Sequence, residues 1–240
     1  PRVVIGRDTR TSGEMVKQAR ELLERYFGLQ RMGSDWVGNP QLAPSRNTGV
    51  EGSLGYTRRS LSLSSSLFWN RIDDFIVIRD LGRVQMVPGV MNSRARSYAN
   101  VDATLRGGEA TVVVALVNRL FVSGSASYVR GTTKSGDLAE MPPLGGRIGL
   151  RFDDGRFFAL AEGLFAGRQE RVDAVLRETP TPGHGTANLS LGLRQGRWSV
   201  SAGIANLFDR EYVEHLSYQR DPFRSGVRVP EPGRNLFVNA

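Results

Sequence analysis

Side chains that bind or transform ligands are scarce in this 240-residue chain, and their spacing is loose. There is no cysteine, which removes thiolate metal sites and disulfide scaffolds. The remaining soft or borderline donors are thioethers and imidazoles. Met86, Met91, Met141, His184 and His215 fall in segments that read as loops. No His-x-x-His or Met-x-Met spacing joins any two of them. An isolated loop methionine more often fills a packing gap than ligates a metal, so these five are candidates by donor chemistry alone. Asp73 and Asp74 are adjacent carboxylates, but neighbours in a strand face opposite ways and chelate poorly together. The chain contains no G-x-S-x-G elbow, no P-loop and no H-E-x-x-H helix. Two loop histidines without a converging acid or nucleophile do not make a catalytic site. The expectation is a protein that is not an enzyme, with no catalytic residue and no resident cofactor.

The elements that carry these residues read as strands. Ser60 to Trp69 alternates, with Leu61, Leu63, Leu67 and Trp69 opposite Ser60, Ser62, Ser64 and Ser66. Ile148, Leu150 and Phe152 alternate with Arg147, Gly149 and Arg151. Leu189, Leu191 and Leu193 alternate with Asn188, Ser190, Gly192 and Arg194, and Trp198, Val200, Ala202 and Ile204 with Ser199, Ser201 and Gly203. Ala99, Val101, Ala103 and Leu105 alternate with Asn100, Asp102, Thr104 and Arg106. Each pattern puts apolar groups on one face and small polar groups or arginine on the other. The segments run near ten residues, the length a tilted strand needs to cross a bilayer.

Connections sharpen this reading. Short turns are expected near Thr57-Arg58-Arg59, Val117-Asn118-Arg119, Asp153-Asp154-Gly155 and Gln195-Gly196-Arg197. Long polar connections lie between them, about residues 9–45, 80–93, 132–142, 169–184 and 211–229. Strict alternation of short and long is what a membrane barrel shows, with short turns on one side and long loops on the other. A soluble β-sandwich has no physical reason to keep it. The sequence predicts about ten antiparallel strands, with Leu61, Leu63, Ile148, Leu150, Leu189, Leu191 and Val200 facing lipid.

Composition agrees. No run of about 18 apolar residues exists, so a transmembrane helix is excluded. Net charge is +8, almost all of it from arginine, since only Lys17 and Lys134 are lysines. The arginines are scattered, which argues against nucleic acid and suits barrel interiors and rims, where arginine pairs with carboxylates or lipid phosphates. The opening Pro1-Arg2-Val3-Val4 is neither an initiator methionine nor a signal peptide, so residues 1–240 read as a piece of a longer chain. Three places are irregular. Phe157 to Phe165 is apolar on both faces, with Glu162 on the side of Phe158, Leu160 and Leu164. Gly107-Gly108-Glu109 is expected to form a bulge. Glu14 to Phe27 has helical spacing, as a short helix in a loop.

Four motifs carry a resemblance to the TonB-dependent receptors of the outer membrane. Asn206-Leu207-Phe208-Asp209-Arg210-Glu211-Tyr212 resembles their NLFD-x-x-Y signature, and Glu231-Pro232-Gly233-Arg234 before Asn235-Leu236-Phe237-Val238 resembles their EPGR opening of the final strand. Gly38-Asn39-Pro40 with Leu42 and Pro44 resembles the GNP-x-L-x-P loop, with Ser45 where a glutamate is usual, and Glu24-Arg25-Tyr26-Phe27 resembles the segment before it. Leu138–Leu144 with Gly146-Arg147, Gln169–Asp173 and Glu214-His215-Leu216 are similar to the copper-receptor branch. The resemblance implies the C-terminal part of a 22-stranded, plugged barrel, with the plug domain and TonB box outside this chain. It also implies outer-membrane lipid around the wall, a TonB complex as energising partner, and a scarce nutrient as transported small ligand. Copper, an iron-siderophore and cobalamin are all open as cargo. The motif residues are expected to be structural, with Arg234 as partner to a carboxylate.

A passive porin-type barrel and a soluble β-sandwich binding module are the competing classes. Extraction separates the last from the others: the protein should leave the membrane fraction only with detergent, and recovery in an aqueous extract would favour the sandwich.

Overall fold

The computed structural model describes residues 24–26, 28–29, 35–83, 95–173, 178–219 and 227–239. Its strands are β1 (Gly28–Leu29), β2 (Asp35–Val37), β3 (Arg46–Arg58), β4 (Leu61–Gly82), β5 (Ala95–Val117), β6 (Leu120–Thr133) and β7 (Gly136–Asp137). They continue as β8 (Gly145–Asp153), β9 (Phe157–Ala166), β10 (His184–Gln195), β11 (Trp198–Ala205), β12 (Tyr218–Gln219), β13 (Val227–Arg228) and β14 (Asn235–Asn239). Nine of these form a wall in the order β3-β4-β5-β6-β8-β9-β10-β11-β14, each antiparallel to the next. The architecture is the all-β, antiparallel meander of a barrel portion. The short pieces sit in the connections, and β2 runs parallel to the start of β5. Glu24–Tyr26 is helical, while the rest of the expected helix lies outside the described residues.

Register shows why alternation mattered. Residues directly opposite one another in paired strands share a face. One row across the sheet runs Tyr56, Leu63, Val112, Gly124, Ile148, Gly163 and Ala187. Another runs Leu61, Val114, Val122, Leu150, Ala161, Leu189, Ile204 and Leu236. All seven side chains expected to face lipid lie on this one face. Many of them are uncovered by protein: Ile148 is 61% exposed, Leu191 56% and Val200 46%. An apolar face of this extent is a surface for hydrocarbon. Trp69 and Phe165 border it towards the long loops, and Phe152, Phe157 and Trp198 towards the short turns, as an aromatic girdle would.

The opposite face is polar and small. One row reads Ser62, Val113, Ser123, Gly149, Glu162 and Asn188, and the next Ser64, Thr111, Ser125, Arg147, Leu164 and Thr186. Arg147 and Glu162 meet across β8 and β9 at 3.4 Å. That contact explains the carboxylate in an otherwise apolar strand, because Glu162 turns inward to an arginine.

Two expectations need correction. Gly107-Gly108-Glu109 is no bulge, since β5 keeps unbroken register there with Phe68, Leu67 and Ser66. The glycines are packing positions: a Cβ on Gly107 would meet the Tyr128 carbonyl oxygen and the Phe68 ring, and one on Gly108 the Leu67 side chain. The register breaks lie at Ile72/Phe75, Asp80/Gly82 and Ala115/Val117. Second, β4 and β5 are 22 and 23 residues long, about twice what a membrane crossing needs, so their upper halves project past the apolar band. The alternation over Ala99, Val101, Ala103 and Leu105 is present, and the pairing of Leu105 with Asn70 and Gly131 puts these four on the inner face. Above Gly107 the apolar phase switches sides, because the outer face there no longer meets lipid.

Short and long connections alternate as the sequence indicates. Asn118-Arg119, Asp154–Arg156 and Gly196-Arg197 each close a hairpin at the same end of the wall as Arg59-Ser60. In one of these turns the Asp154 carboxylate accepts the N–H of Phe157 at 2.6 Å and of Arg156 at 2.8 Å. Those two bonds hold its carboxyl below the usual aspartate range, so it stays ionised. Placing a charge on the apolar face tests the assignment. Ile148→Arg should cost the lipid-embedded protein about 2–4 kcal/mol at mid-band, read by denaturant unfolding in vesicles. Ser64→Arg, on the polar face, should cost much less, and equal costs would reverse the faces.

Candidate functional site

The loop end of the inner face holds a cavity of about 460 Å³. His184, Thr186 and Asn188 reach it from alternate positions of β10, and Tyr212 and Glu214 from the connection between β11 and β14. Imidazole Nε2 of His184 lies 3.1 Å from Glu214 Oε1. The His184 ring rests on Tyr212 with centroids 4.4 Å apart. Burial pushes the Tyr212 phenol above its usual range, and Glu231 and Glu214 push the same way. The group therefore stays a neutral donor. This arrangement offers hydrogen bonds and an aromatic face, without a nucleophile paired to a base.

Beside the cavity is a buried polar cluster that joins three loops. His215 is 3% exposed, Thr181 3% and Gln169 1%. His215 Nδ1 meets Thr181 Oγ1 at 2.5 Å and its Nε2 meets Glu178 Oε1 at 2.9 Å. Glu178 also accepts the N–H of Glu140 through Oε1 and that of Asp173 through Oε2. Gln169 donates from Nε2 to the Met141 carbonyl at 2.7 Å, and its backbone pairs with Thr181. The sulfur of Met141 and the side chain of Leu138 sit against the space above Gly131. The three segments similar to the copper branch, around Met141, Gln169 and His215, thus meet in one cluster.

The sequence-derived donors are not gathered into one centre. Met86 and Met91 lie outside the described residues. His184 and His215 have separate carboxylate partners, Glu214 and Glu178. Among the described residues no three His, Asp or Glu side chains are placed to hold one metal ion. Asp73 pairs with Arg71 at 3.1 Å, while Asp74 sits in the β4 bulge with φ at 58°. Glu178, Thr181 and Gln169 carry the loop core, yet they have no periodic pattern that would single them out.

Two of the family motifs, around Asn206 and Gly233, border the cavity. Asn206, 5% exposed with φ at 50°, accepts the Arg210 N–H and donates to the carbonyls of Arg210 and Pro232. Its own N–H goes to Asn188. Asp209 accepts the Arg234 N–H at 2.7 Å, and Gly233 leaves room for that carboxylate. The Arg234 guanidinium donates to the Leu207 carbonyl, not to a carboxylate as expected. Its planar head supplies a donor for a backbone oxygen left open where the chain turns. Glu231 N–H bonds the Tyr212 carbonyl, so the two motifs hold each other. On the far side, Asn39 accepts the Gln41 N–H and donates to the Tyr98 carbonyl. Asn100 exchanges two hydrogen bonds with Ala43, and Leu42 is 3% exposed. The segment Gly38-Asn39-Pro40 is thereby pinned to β5. Asn206→Ala should cost about 1–3 kcal/mol by leaving buried groups unpaired, measured as a lower melting temperature in detergent. Phe208→Ala, at a position 75% exposed, should leave that temperature nearly unchanged.

A family model described as "TonB dependent receptor-like, beta-barrel" matches residues 19–207. Among solved structures, the copper transporter OprC superposes with a TM-score of 0.72 at 27% identity, covering 83% of this chain and 32% of its own. The ferric-catecholate import receptor Fiu from E. coli K12 gives 0.58 at 19% identity, covering 88% of this chain and 29% of its own. The FrpB iron transporter from Neisseria meningitidis gives 0.60 at 14% identity, with 82% and 31% covered. The chain spans about a third of the length of each of these structures. With the family match over most of the chain, and an apolar outside, a polar inside and long loops at one end only, this protein belongs to the TonB-dependent receptor β-barrel family of the outer membrane.

Proposed function

We propose that the chain is the C-terminal wall and loop region of a TonB-dependent importer that carries a metal ion or metal chelate across the outer membrane. The observation that carries this reading is the inward cavity at the loop end, bordered by two of the family motifs on a wall that is apolar outside. Loops and the tip of a plug domain would capture the cargo. A TonB complex would then pull on the plug's N-terminal segment to open a path. Transport of this kind breaks and forms no covalent bond in the cargo. The wall contributes a rigid polar lining, and the loops contribute the first contacts.

Copper is the cargo we favour. The copper transporter superposes on this chain with a higher TM-score than the two iron receptors, and at higher identity. The donor set would be His184 in the cavity and Met141 in the cluster beside it, with Met86 and Met91 from the connection before β5. His215 would join only by leaving Thr181 and Glu178, which makes it the weakest member. Thioether would favour Cu(I) and imidazole Cu(II). A histidine contribution needs the neutral ring, because a protonated one cannot coordinate. The test is copper accumulation by cells expressing the full-length receptor, with and without a working TonB complex. Uptake should require both, and should drop when Met86, Met91, Met141, His184 and His215 are all replaced by alanine. TonB-dependent uptake that survives this replacement removes the five residues from the path. Absence of copper uptake by the unaltered receptor hands the assignment to a ferric siderophore or cobalamin.

A further inference from the structure

Each short turn of the wall carries arginine. Arg58 and Arg59 flank the β3–β4 turn, Arg119 lies in the β5–β6 turn, Arg156 in the β8–β9 turn and Arg197 in the β10–β11 turn. All five are exposed. The carboxylates of this end are already engaged. Asp153 takes Arg194 at 2.9 Å and Arg151 at 3.7 Å on the inner face, and Asp154 caps its own turn through two backbone N–H groups. Among the described residues, none of the five turn arginines lies within 4.0 Å of a carboxylate, and Arg119 acts on Asp154 only as a nearby charge. Two of them are drawn to the edge of the hydrocarbon face. Arg156 stacks over Phe157 at 5.3 Å and Arg197 over Trp198 at 5.9 Å. Phe157 and Trp198 are themselves 50% and 68% exposed on the apolar face. Guanidinium groups held at the border of hydrocarbon need an anion at the same depth, and the planar fork fits phosphate oxygens in pairs.

We propose that the short-turn end of the wall is a binding belt for anionic glycerophospholipids, whose phosphates are held by Arg58, Arg59, Arg119, Arg156 and Arg197. Only the membrane orientation of the proposed importer enters here, and its cargo and energising do not. The aromatic rings anchor the acyl boundary, while the arginines hold the headgroups one residue further out. The wall thereby gains a fixed depth on the side opposite the loops.

The test uses the full-length receptor purified in detergent and offered equimolar phosphatidylglycerol and phosphatidylethanolamine. Native mass spectrometry counts the lipids retained. Phosphatidylglycerol should be retained preferentially, and the preference should weaken as ionic strength rises. Each Arg→Gln replacement should lower its retention by up to about fivefold, and the joint replacement R58Q, R59Q, R119Q, R156Q and R197Q should abolish the preference. The joint replacement by lysine keeps the charge and should keep part of it. Equal retention of the two lipids by the unaltered receptor overturns the proposal even if every variant fails to fold. So does a preference that survives the joint glutamine replacement, or retention of lipopolysaccharide ahead of phosphatidylglycerol at these positions. Copper or siderophore uptake plays no part in the readout, so a wrong cargo leaves it standing.

Discussion

Everything in this structure depends on the pairing of backbone N–H and C=O groups. Hydrocarbon offers no alternative partner, and each group left open there costs several kcal/mol. A strand can satisfy the demand only with a neighbour on each side. The wall meets it by antiparallel pairing in chain order, from β3 through β14. Pairing in chain order is also why one end can close with turns of two or three residues, since consecutive strands are already adjacent. Loop length is then free to vary at the other end, where water is available. The outer sides of β3 and β14 have no partner among the described residues, so the same demand applies to whatever lies beside them.

Because period two is imposed by pairing, sidedness follows from composition alone. A leucine next to a serine tells which way is out only while the outside is lipid. The upper halves of β4 and β5 mark where that stops. Past the paired glycines Gly107 and Gly108, the apolar residues of β5 move to the inner face. The bulge at Asp74 follows on β4, and its carbonyl is taken by Ser45 and Asn100. A register break placed there is tolerable because side chains and water replace the ladder bond that is lost. The same break within the apolar band would leave a backbone group without any partner.

The sequence made the wall legible and left the loops mostly dark. Leu61, Ile148, Leu189 and Val200 announce their face because hydrocarbon requires an apolar group at every second position. The turns at Asp154 and Gly196 were readable for a similar reason, as short closures need few residue types. Gly107-Gly108 misled, since two glycines in a strand look like a bulge until the Phe68 ring and Leu67 are seen to need the room. Nothing periodic governs Glu178, Thr181 or Gln169, whose side chains reach partners as far as 28 to 38 residues away in the chain. Contacts of that range are set by tertiary docking, which no local spacing encodes. The family motifs identified the frame through resemblance, yet only the hydrogen bonds of Asn206 and Asp209 explain why those residue types stand there.

The loop core poses a separate physical question, because it is built from polar groups where a soluble domain would use leucine. Loops beside a membrane face are exposed to both water and lipid, and a purely apolar surface there would insert in lipid or aggregate. Glu178 resolves this. Its two oxygens take two backbone N–H groups and one imidazole nitrogen from three separate segments. A buried carboxylate is costly unless all its acceptor sites are filled, so loss of any one segment penalises the others. The segments around Met141, Gln169 and His215 are therefore coupled through a single side chain, and the penalty for partial docking is larger than an apolar contact would impose. Arg171 extends the coupling to the wall by donating to the Tyr128 hydroxyl and stacking on its ring. A cluster of this kind favours loops that are docked together over loops that are docked singly.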